Sequence, residues 1–506
     1  MNANTPWTHL TRNIRALLRP ASARTAPGLY TYPIKWDGGQ RRVHLRVQED
    51  GGGVLFVDVT DVIHLNTTAV TMVKLALEGI PQKEALGQLL RTYRGVGRSE
   101  LGQALAKMYQ LVGQLQQEAA TACPTCTLAP LLEFQPVFST PVTAPFKADL
   151  ALTYACTNAC PHCYNEPDRF AMGSLSRTDW FRVLDKLAEI GVPHIILTGG
   201  EPTLHPALPD LIRYGDSLGL VMGMNTNGRK LAKESLTKQL ANAGLNHVQV
   251  TLESCYPRVH DRMVATPGAF DETVRGIRQA LGIGLHTLTN TTVTRQNQDH
   301  VVNTVRFLHT LGLRTFAMNG MIHAGGGRAT PDALPAEEMA LLLTKVRDEA
   351  EMLGMRFLWY TVTDYCRLSP VALGLDPKRC NAAEYSMCIE PNGDVLPCQS
   401  YYVAAGNILA DTWRDIWDST LFRSFRERES DPEAGGLPKV CGDCPDLDMC
   451  GGGCRLEREA HLTMRATEHG CARARVRASG QSAAAAAAQD EMTPLGIEDR
   501  EPQPAK

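Results

Sequence analysis

Cys156, Cys160 and Cys163 fall at C-x3-C-x2-C spacing in the run Cys156-Thr157-Asn158-Ala159-Cys160-Pro161-His162-Cys163. Three thiolates so spaced can ligate three irons of a cubane cluster and leave the fourth iron without a protein ligand, a reactive position rather than a structural one. Such an iron takes a substrate or a cofactor. Three cysteines plus one further ligand are also ordinary zinc chemistry, so the triplet alone leaves both metals open. Downstream, Thr198-Gly199-Gly200-Glu201-Pro202 forms a glycine turn that ends in an acid.

A second set of thiols begins at Cys366 and continues through Cys380, Cys388, Cys398, Cys441, Cys444, Cys450, Cys454 and Cys471. Taken alone, the C-x2-C-x5-C-x3-C run from Cys441 to Cys454 suits zinc at least as well as iron. A hairpin over residues 386–396, turning at Pro391-Asn392-Gly393, and the triple Gly451-Gly452-Gly453 between two thiols point instead to backbone folded tightly around bulky clusters. Two such clusters need about eight thiolates. Cys123-Pro124-Thr125-Cys126 is a lone C-x2-C in a proline-rich stretch and reads as two thiols on a loop.

These thiols need a scaffold. From residue 148 the sequence alternates strand and helix, with strands expected over 149–154, 194–198, 220–225, 247–252, 286–294 and 314–319. Six such repeats favour a parallel barrel or part of one, with functional residues at the carboxyl ends of its strands. The cysteine triplet follows the first strand, the Gly-Gly-Glu-Pro turn follows the second and Asn225 ends the third. All three therefore share one rim.

Before the barrel, residues 31–36, 43–47 and 54–59 have the alternation of short strands, with Gly51-Gly52-Gly53 as a turn. Three helices are expected next, over 67–78 with Thr67 or Thr68 as cap, 82–93 opened by Pro81, and 99–116 opened by Ser99. The result is a winged-helix-like α+β unit. Lys107 is its only basic residue on the third helix, which argues against DNA.

Composition sets the bounds. A chain of 506 residues suggests about three domains, and 43% hydrophobic residues can fill their cores. The formal charge of -3, from 51 basic and 54 acidic residues, argues against a nucleic-acid surface. No run of about 18 apolar residues is available to span a membrane. Arg12, Arg15, Arg19 and Arg24 faintly resemble a transit peptide, but without a signal-type apolar core. Fifteen cysteines at metal-ligand spacings, with no secretion signal, fit a reducing cytoplasm better than a disulfide framework.

Three resemblances sharpen this reading. The cysteine triplet together with Gly199-Gly200-Glu201-Pro202 resembles the radical S-adenosylmethionine (radical SAM) superfamily, which implies a partial (β/α)6 TIM-type barrel, one catalytic 4Fe-4S cluster and S-adenosylmethionine. By that resemblance Gly199, Gly200, Glu201 and Pro202 hold the methionyl amine, the glycines by close backbone approach and the acid by its charge. Asn225, Thr251 and Glu253 are further candidates for the adenosyl and carboxylate contacts. Cys380-x12-Gly393-x4-Cys398 followed by Cys441, Cys444, Cys450, Cys454 and Cys471 is similar to the cysteine-rich SPASM extension. It implies two auxiliary 4Fe-4S clusters, with Cys380, Cys388, Cys398 and Cys454 on the first and Cys441, Cys444, Cys450 and Cys471 on the second. Cys366 competes with Cys388. Val54-Leu55-Phe56-Val57, His64-Leu65-Asn66-Thr67-Thr68-Ala69, Leu77-Glu78-Gly79-Ile80-Pro81 and Leu89-Leu90-Arg91-Thr92-Tyr93 are similar to the PqqD-like peptide chaperones, or RiPP recognition elements, which bind a precursor's leader by strand addition.

The expected organisation is a flexible N-terminus (1–28), a leader-binding unit (29–118), a linker (119–147), the barrel (148–365), the SPASM region (366–478) and a disordered tail (479–506). The expected activity is hydrogen abstraction from a ribosomally made precursor peptide, leaving an oxidised or crosslinked residue joined by a thioether, carbon-carbon or carbon-oxygen link. A flavodoxin- or ferredoxin-type donor would supply the electron. Formylglycine formation, as in anaerobic sulfatase maturation, and a non-catalytic iron-sulfur peptide chaperone are the alternatives. No general base is identifiable. Gly325-Gly326-Gly327-Arg328 resembles a phosphate cradle, but no Lys-Ser/Thr follows, so a rim contact with cofactor or peptide is expected of it instead. His260-Asp261 and Asp364-Tyr365 are assigned no role.

Overall fold

The computed structural model describes residues 25–36, 39–57, 61–93, 95–115 and 142–464. The expectations for Cys123, Cys126, Cys471, the arginine-bearing N-terminus, most of the linker and the tail lie outside these residues. Among the described residues no helix is long and apolar enough to cross a membrane.

The N-terminal unit holds four antiparallel strands in the order β1 (Gly28–Trp36), β2 (Gly39–Val47), β3 (Gly53–Val57) and β4 (Asp61–Leu65). Three strands were expected; β4 is additional, and its five residues alternate too briefly to stand out from the strand before it. Helices Thr67–Leu77, Gln82–Thr92 and Arg98–Leu115 follow. Asn66 rather than a threonine caps the first, its side chain accepting from Ala69 N at 2.9 Å.

Strand β2 shows why this unit sits where it does. Val43, Leu45 and Val47 point into a core with Val70, Val73 and Leu111 of the helices. The alternate residues Arg42, His44 and Arg46 therefore face the other way, onto the barrel. Arg42 donates to Leu220 O at 2.5 Å and Asp216 at 2.7 Å, and His44 Nε2 lies 2.7 Å from Gly219 O. Arg46 reaches Ala144 O, Pro145 O and Gly191 O, at 3.1, 2.9 and 3.3 Å, and lies over the rings of Phe56 and Phe146. A buried guanidinium with three carbonyl acceptors and two aromatic faces is a fixed joint.

Two buried histidines, His44 at this joint and His247 in the barrel, make the fold acid-sensitive. Burial lowers His44 and His247 to about 4; each folded value lies below the unfolded value near 6.5. The stability they contribute is complete above pH 6.5 and is lost as pH falls toward 4, by up to about 3 kcal/mol each. Thermal denaturation followed from pH 7 to pH 4 should show this fall, and His44→Gln should flatten it; an unchanged slope in the variant would contradict the assignment.

The barrel sheet runs β5 (Lys147–Thr153), β6 (His194–Gly199), β7 (Val221–Thr226), β8 (His247–Thr251), β9 (His286–Thr292), β10 (Thr315–Asn319) and β11 (Arg356–Trp359), all parallel. The first six match the expected strands. The seventh is four residues long, too short to register as a strand in the sequence. Helix Arg177–Ile190 is typical of the outer layer. Ser176 caps it, Trp180, Val183, Leu184 and Leu187 bury one stripe, and Gly191 ends it at φ 87. After β7 the helical stretch breaks at Lys233 into a 3-10 turn, Lys230–Ala232, and a helix, Glu234–Asn242.

On its other side β5 pairs in parallel with β12 (Ser386–Ile389), which turns into β13 (Asp394–Leu396) and β14 (Gly406–Asn407). The cysteine-rich region thus extends the barrel sheet itself. Ile389, Val395, Ile416 and Phe422 share one apolar core with Leu150, Leu197 and Trp180.

Candidate active site

The rim at the carboxyl end of β5 carries the loop Cys156–Cys163. Cys156 is exposed, whereas Cys160 and Cys163 are partly buried, and all three are free thiols. Asn158 N lies 3.4 Å and Asn227 Nδ2 3.8 Å from Cys156 Sγ, and Asn227 Nδ2 also donates to Thr157 Oγ1 at 2.9 Å. Arg229 holds the loop by donating to Thr157 O and to Asn158 Oδ1, the latter at 3.1 Å, while its Nε pairs with Glu272. Burial pushes Cys160 and Cys163 up, Cys160 furthest, and the Glu253 carboxylate and the other two thiols push Cys160 in the same direction. Three free thiols on one short loop are a donor set for iron. Among the described residues no group of three or more His, Cys, Asp or Glu side chains closes on one metal ion. A cluster, in which each iron takes its own thiol, does not require such closure.

Gly199 and Gly200 are forced by the same loop. A Cβ on Gly199 would lie 2.1 Å from Thr153 O, and one on Gly200 would lie 2.4 Å from Tyr154 O and 2.5 Å from Ala155 O. Gly200 N donates to Thr153 O at 2.7 Å and Glu201 N to Ala155 O at 2.9 Å. The turn is therefore stitched to the end of β5 by backbone. Glu201 is fully buried; its carboxylate accepts from Thr203 N, Thr203 Oγ1, Thr226 Oγ1 and Asn227 N at 3.0, 2.6, 2.8 and 2.8 Å. Pro202 opens the short turn that returns Thr203 to it.

Glu253 is also buried. Its Oε1 lies 3.2 Å from His162 Nε2 and its Oε2 accepts from Thr292 N at 2.7 Å. Burial alone would lower His162, but the hydrogen bond and charge of Glu253 raise it. Both carboxylates are thus held in place by protein donors, Glu201 at the ends of β6 and β7 and Glu253 beside the cysteine loop. Asn225 and Thr251 lie on the strand faces opposite the buried Met224 and Val250, in register with Gln249 and Asn290. They face the barrel lumen, where Asn290 Nδ2 donates to Asn319 Oδ1 at 2.7 Å.

The glycine triple after β10 sits against the cysteine loop. Gly326 N donates to Cys163 O at 2.8 Å, and Cβ atoms on Gly325 and Gly326 would lie 2.4 Å from Asn165 O and 2.2 Å from Pro161 O. These residues clamp the cysteine loop from the far side of the barrel, and their close approach is to backbone. Arg328 anchors them through Glu166 at 2.6 Å.

One link was invisible in the sequence. Tyr154 donates to Glu390 Oε1 at 2.9 Å, Arg169 lies 3.5 Å from Glu390 Oε2 and covers the Tyr402 ring, and Tyr402 donates to Asn165 Oδ1 at 3.0 Å. It ties the rim loop to the hairpin that carries Cys388. The members are single residues far apart in the chain, so no spacing announces them.

In the cysteine-rich region Cys380, Cys388, Cys398, Cys441, Cys444, Cys450 and Cys454 are free thiols, and Cys366 is disulfide-bonded. Cys398 is close enough to feel both Cys380 and Cys454, and Cys388 feels Cys398. Cys441 instead neighbours Cys450 and Cys444. Burial leads in raising Cys398 and Cys454 to about 12 and Cys441 to about 11. Two thiol groups therefore form, and Cys454 crosses from its own sequence run to the first. Gly451, Gly452 and Gly453, at φ 58, 73 and 73, make that crossing possible. Tyr365 N donates to Cys450 Sγ at 3.3 Å. Arg428 donates to Cys380 O, Gly451 O and Phe425 O, and Arg379 pairs with Glu384 and Glu429, bracing the fold around the first group.

Comparison with known proteins places this architecture. Residues 150–308 match the radical SAM superfamily model, and residues 380–445 match the iron-sulfur cluster-binding SPASM domain. PqqA peptide cyclase of Methylocella silvestris is 29% identical over 318 residues, covering 60% of this chain and 81% of that protein. AdoMet-dependent heme synthase of Methanosarcina barkeri is 28% identical over 324 residues, covering 61% and 90%. The crystal structure of Streptococcus suis SuiB bound to precursor peptide SuiA superposes with a TM-score of 0.60 at 17% identity, over 85% of this chain and 98% of that one, a likeness of fold.

Proposed function

Because the chain is a radical SAM enzyme that carries an iron-sulfur SPASM domain, we propose that its substrate is a ribosomally synthesised precursor peptide and its product an oxidised or crosslinked residue. The observation that carries this reading is the N-terminal sheet-and-helix unit locked to the barrel through Arg42, His44 and Arg46. Strand β4 is at the edge of its sheet, and no described strand pairs with its outer side. That edge suits a leader peptide added as a further strand, with Val62 exposed beside it. The PqqA peptide cyclase relative and the peptide-bound SuiB structure support a peptide substrate.

Cys156, Cys160 and Cys163 hold the catalytic cluster in this reading, and Gly199, Gly200 and Pro202 shape the bed for the methionyl group. Asn225 and Thr251 take the adenosyl and carboxylate contacts from the lumen face. Reduced and bound, the cluster and S-adenosylmethionine supply a 5′-deoxyadenosyl radical able to remove hydrogen from an unactivated C-H bond. The protein's part is to orient and to exclude water. Glu201 fixes the ends of β6 and β7, Glu253 fixes His162 inside the cysteine loop, and Gly326 closes the loop from above. Cys380, Cys388, Cys398 and Cys454 hold one auxiliary cluster; Cys441, Cys444, Cys450 and Cys471 hold the other. A flavodoxin- or ferredoxin-type carrier in the cytoplasm delivers the electron.

Removing residues 1–118 should weaken leader-peptide binding by at least about tenfold, some 1.4 kcal/mol, while unproductive S-adenosylmethionine cleavage continues. Isothermal titration with the leader checks it; equal affinity before and after the deletion would transfer recognition to the barrel.

A further inference from the structure

We propose that Arg458 is a positioning residue for the auxiliary clusters, a cation set between the two thiol groups that raises the reduction potential of the cluster held by Cys380, Cys398 and Cys454. The inference rests on the ligand reading above. Arg458 lies one turn beyond Cys454 in helix Arg455–Met464. Its Nη1 donates to Gly452 O at 2.5 Å and Gly453 O at 3.0 Å, and its Nη2 to Gly435 O at 3.4 Å. Gly452 and Gly453 are the left-handed residues between Cys450 and Cys454, so the guanidinium is gripped by the segment that joins the two groups.

Among the described residues its Nε is buried and has no hydrogen-bond partner. A buried N-H of a cation without an acceptor is costly, and nearly all such groups in folded proteins find one. Sulfur of a bound cluster is an acceptor of the right charge. Arg458 lies within electrostatic reach of Cys454 and Cys380 in one group and of Cys441 in the other. The acids around it are Glu457, which bonds Arg367 at 3.4 Å, and Asp364. Neither takes its Nε.

Reduction adds one negative charge to a cluster. A fixed cation and an N-H···S bond stabilise the reduced form more than the oxidised one, so both raise the potential. Arg458→Gln removes the charge, and Arg458→Lys retains it.

The test is an EPR-monitored redox titration of the full-length, iron-reconstituted protein, with iron counted in parallel. In Arg458→Gln, the reduced-to-oxidised ratio of an auxiliary cluster at fixed potential should fall by about tenfold, equivalent to about 59 mV for a one-electron couple. Arg458→Lys should recover most of that fall. Full iron content with an unchanged potential in Arg458→Gln would overturn the proposal, as would loss of auxiliary iron from both variants, which would make the role structural. Iron loss in Arg458→Gln alone, with iron and potential kept in Arg458→Lys, would support the charge. Wild-type protein with zinc or no metal at these thiols would fail the ligand reading instead, and the inference with it.

Discussion

Gly326→Ala is expected to disable the enzyme without unfolding it. The added Cβ would sit 2.2 Å from Pro161 O, and Gly326 N must stay in place to bond Cys163 O at 2.8 Å. Both obstacles are backbone, so neither yields as a side chain would. The loop holding Cys160 and Cys163 must shift, and a displacement of about 1 Å at a reacting centre costs on the order of 100-fold. S-adenosylmethionine cleavage should fall by at least that factor and iron content should drop, with the remaining iron at the auxiliary thiols. Gly282→Ala is the control. It ends a helix with nothing within 4 Å of its Cβ, and should be neutral or stabilising by up to about 1 kcal/mol. Activity kept in Gly326→Ala would show that the clamp is slack.

Cys156→Ala should abolish 5′-deoxyadenosine formation and leave the fold intact. Cys156 is exposed, and no apolar core depends on it. Losing its side chain should cost stability no more than about 0.5 kcal/mol. A cluster with two protein ligands instead of three would not be retained. Cys255→Ser provides the contrast. Its thiol neighbours Thr304 and belongs to neither cysteine group, so cluster content and cleavage should remain at wild-type level. Comparable 5′-deoxyadenosine from wild type and Cys156→Ala would contradict the ligand role.

What the sequence made legible was whatever repeats or clusters. Alternating strands and helices with capped ends gave the barrel, and cysteines at short spacings gave the thiol groups, because local periodicity and ligand spacing survive without tertiary context. What it hid was long-range. The Tyr154–Glu390 bond joins residues just beyond β5 and just beyond β12, and Arg46 is read in the sequence as one more strand cation. The glycines were legible as close approaches, but what they approach was not. Gly199 and Gly200 meet backbone at the end of β5, and Gly325 and Gly326 meet backbone of the cysteine loop and of Asn165 just after it. Glu201 was conspicuous as an acid beside glycines, and only the fold reveals that its carboxylate is filled by Thr203, Thr226 and Asn227. Short elements such as β4 and β11 fall below the length at which periodicity speaks.

The central claim is radical oxidation of a leader-bearing peptide. Its most direct measurement is the mass of a small precursor peptide, encoded beside this protein's own gene, after anaerobic incubation with reduced enzyme and S-adenosylmethionine, with 5′-deoxyadenosine quantified in the same sample. The account predicts loss of two hydrogens per event, matched by 5′-deoxyadenosine, and no mass change with Cys156→Ala. Production of 5′-deoxyadenosine with the peptide unchanged in mass and in residue stereochemistry would contradict it.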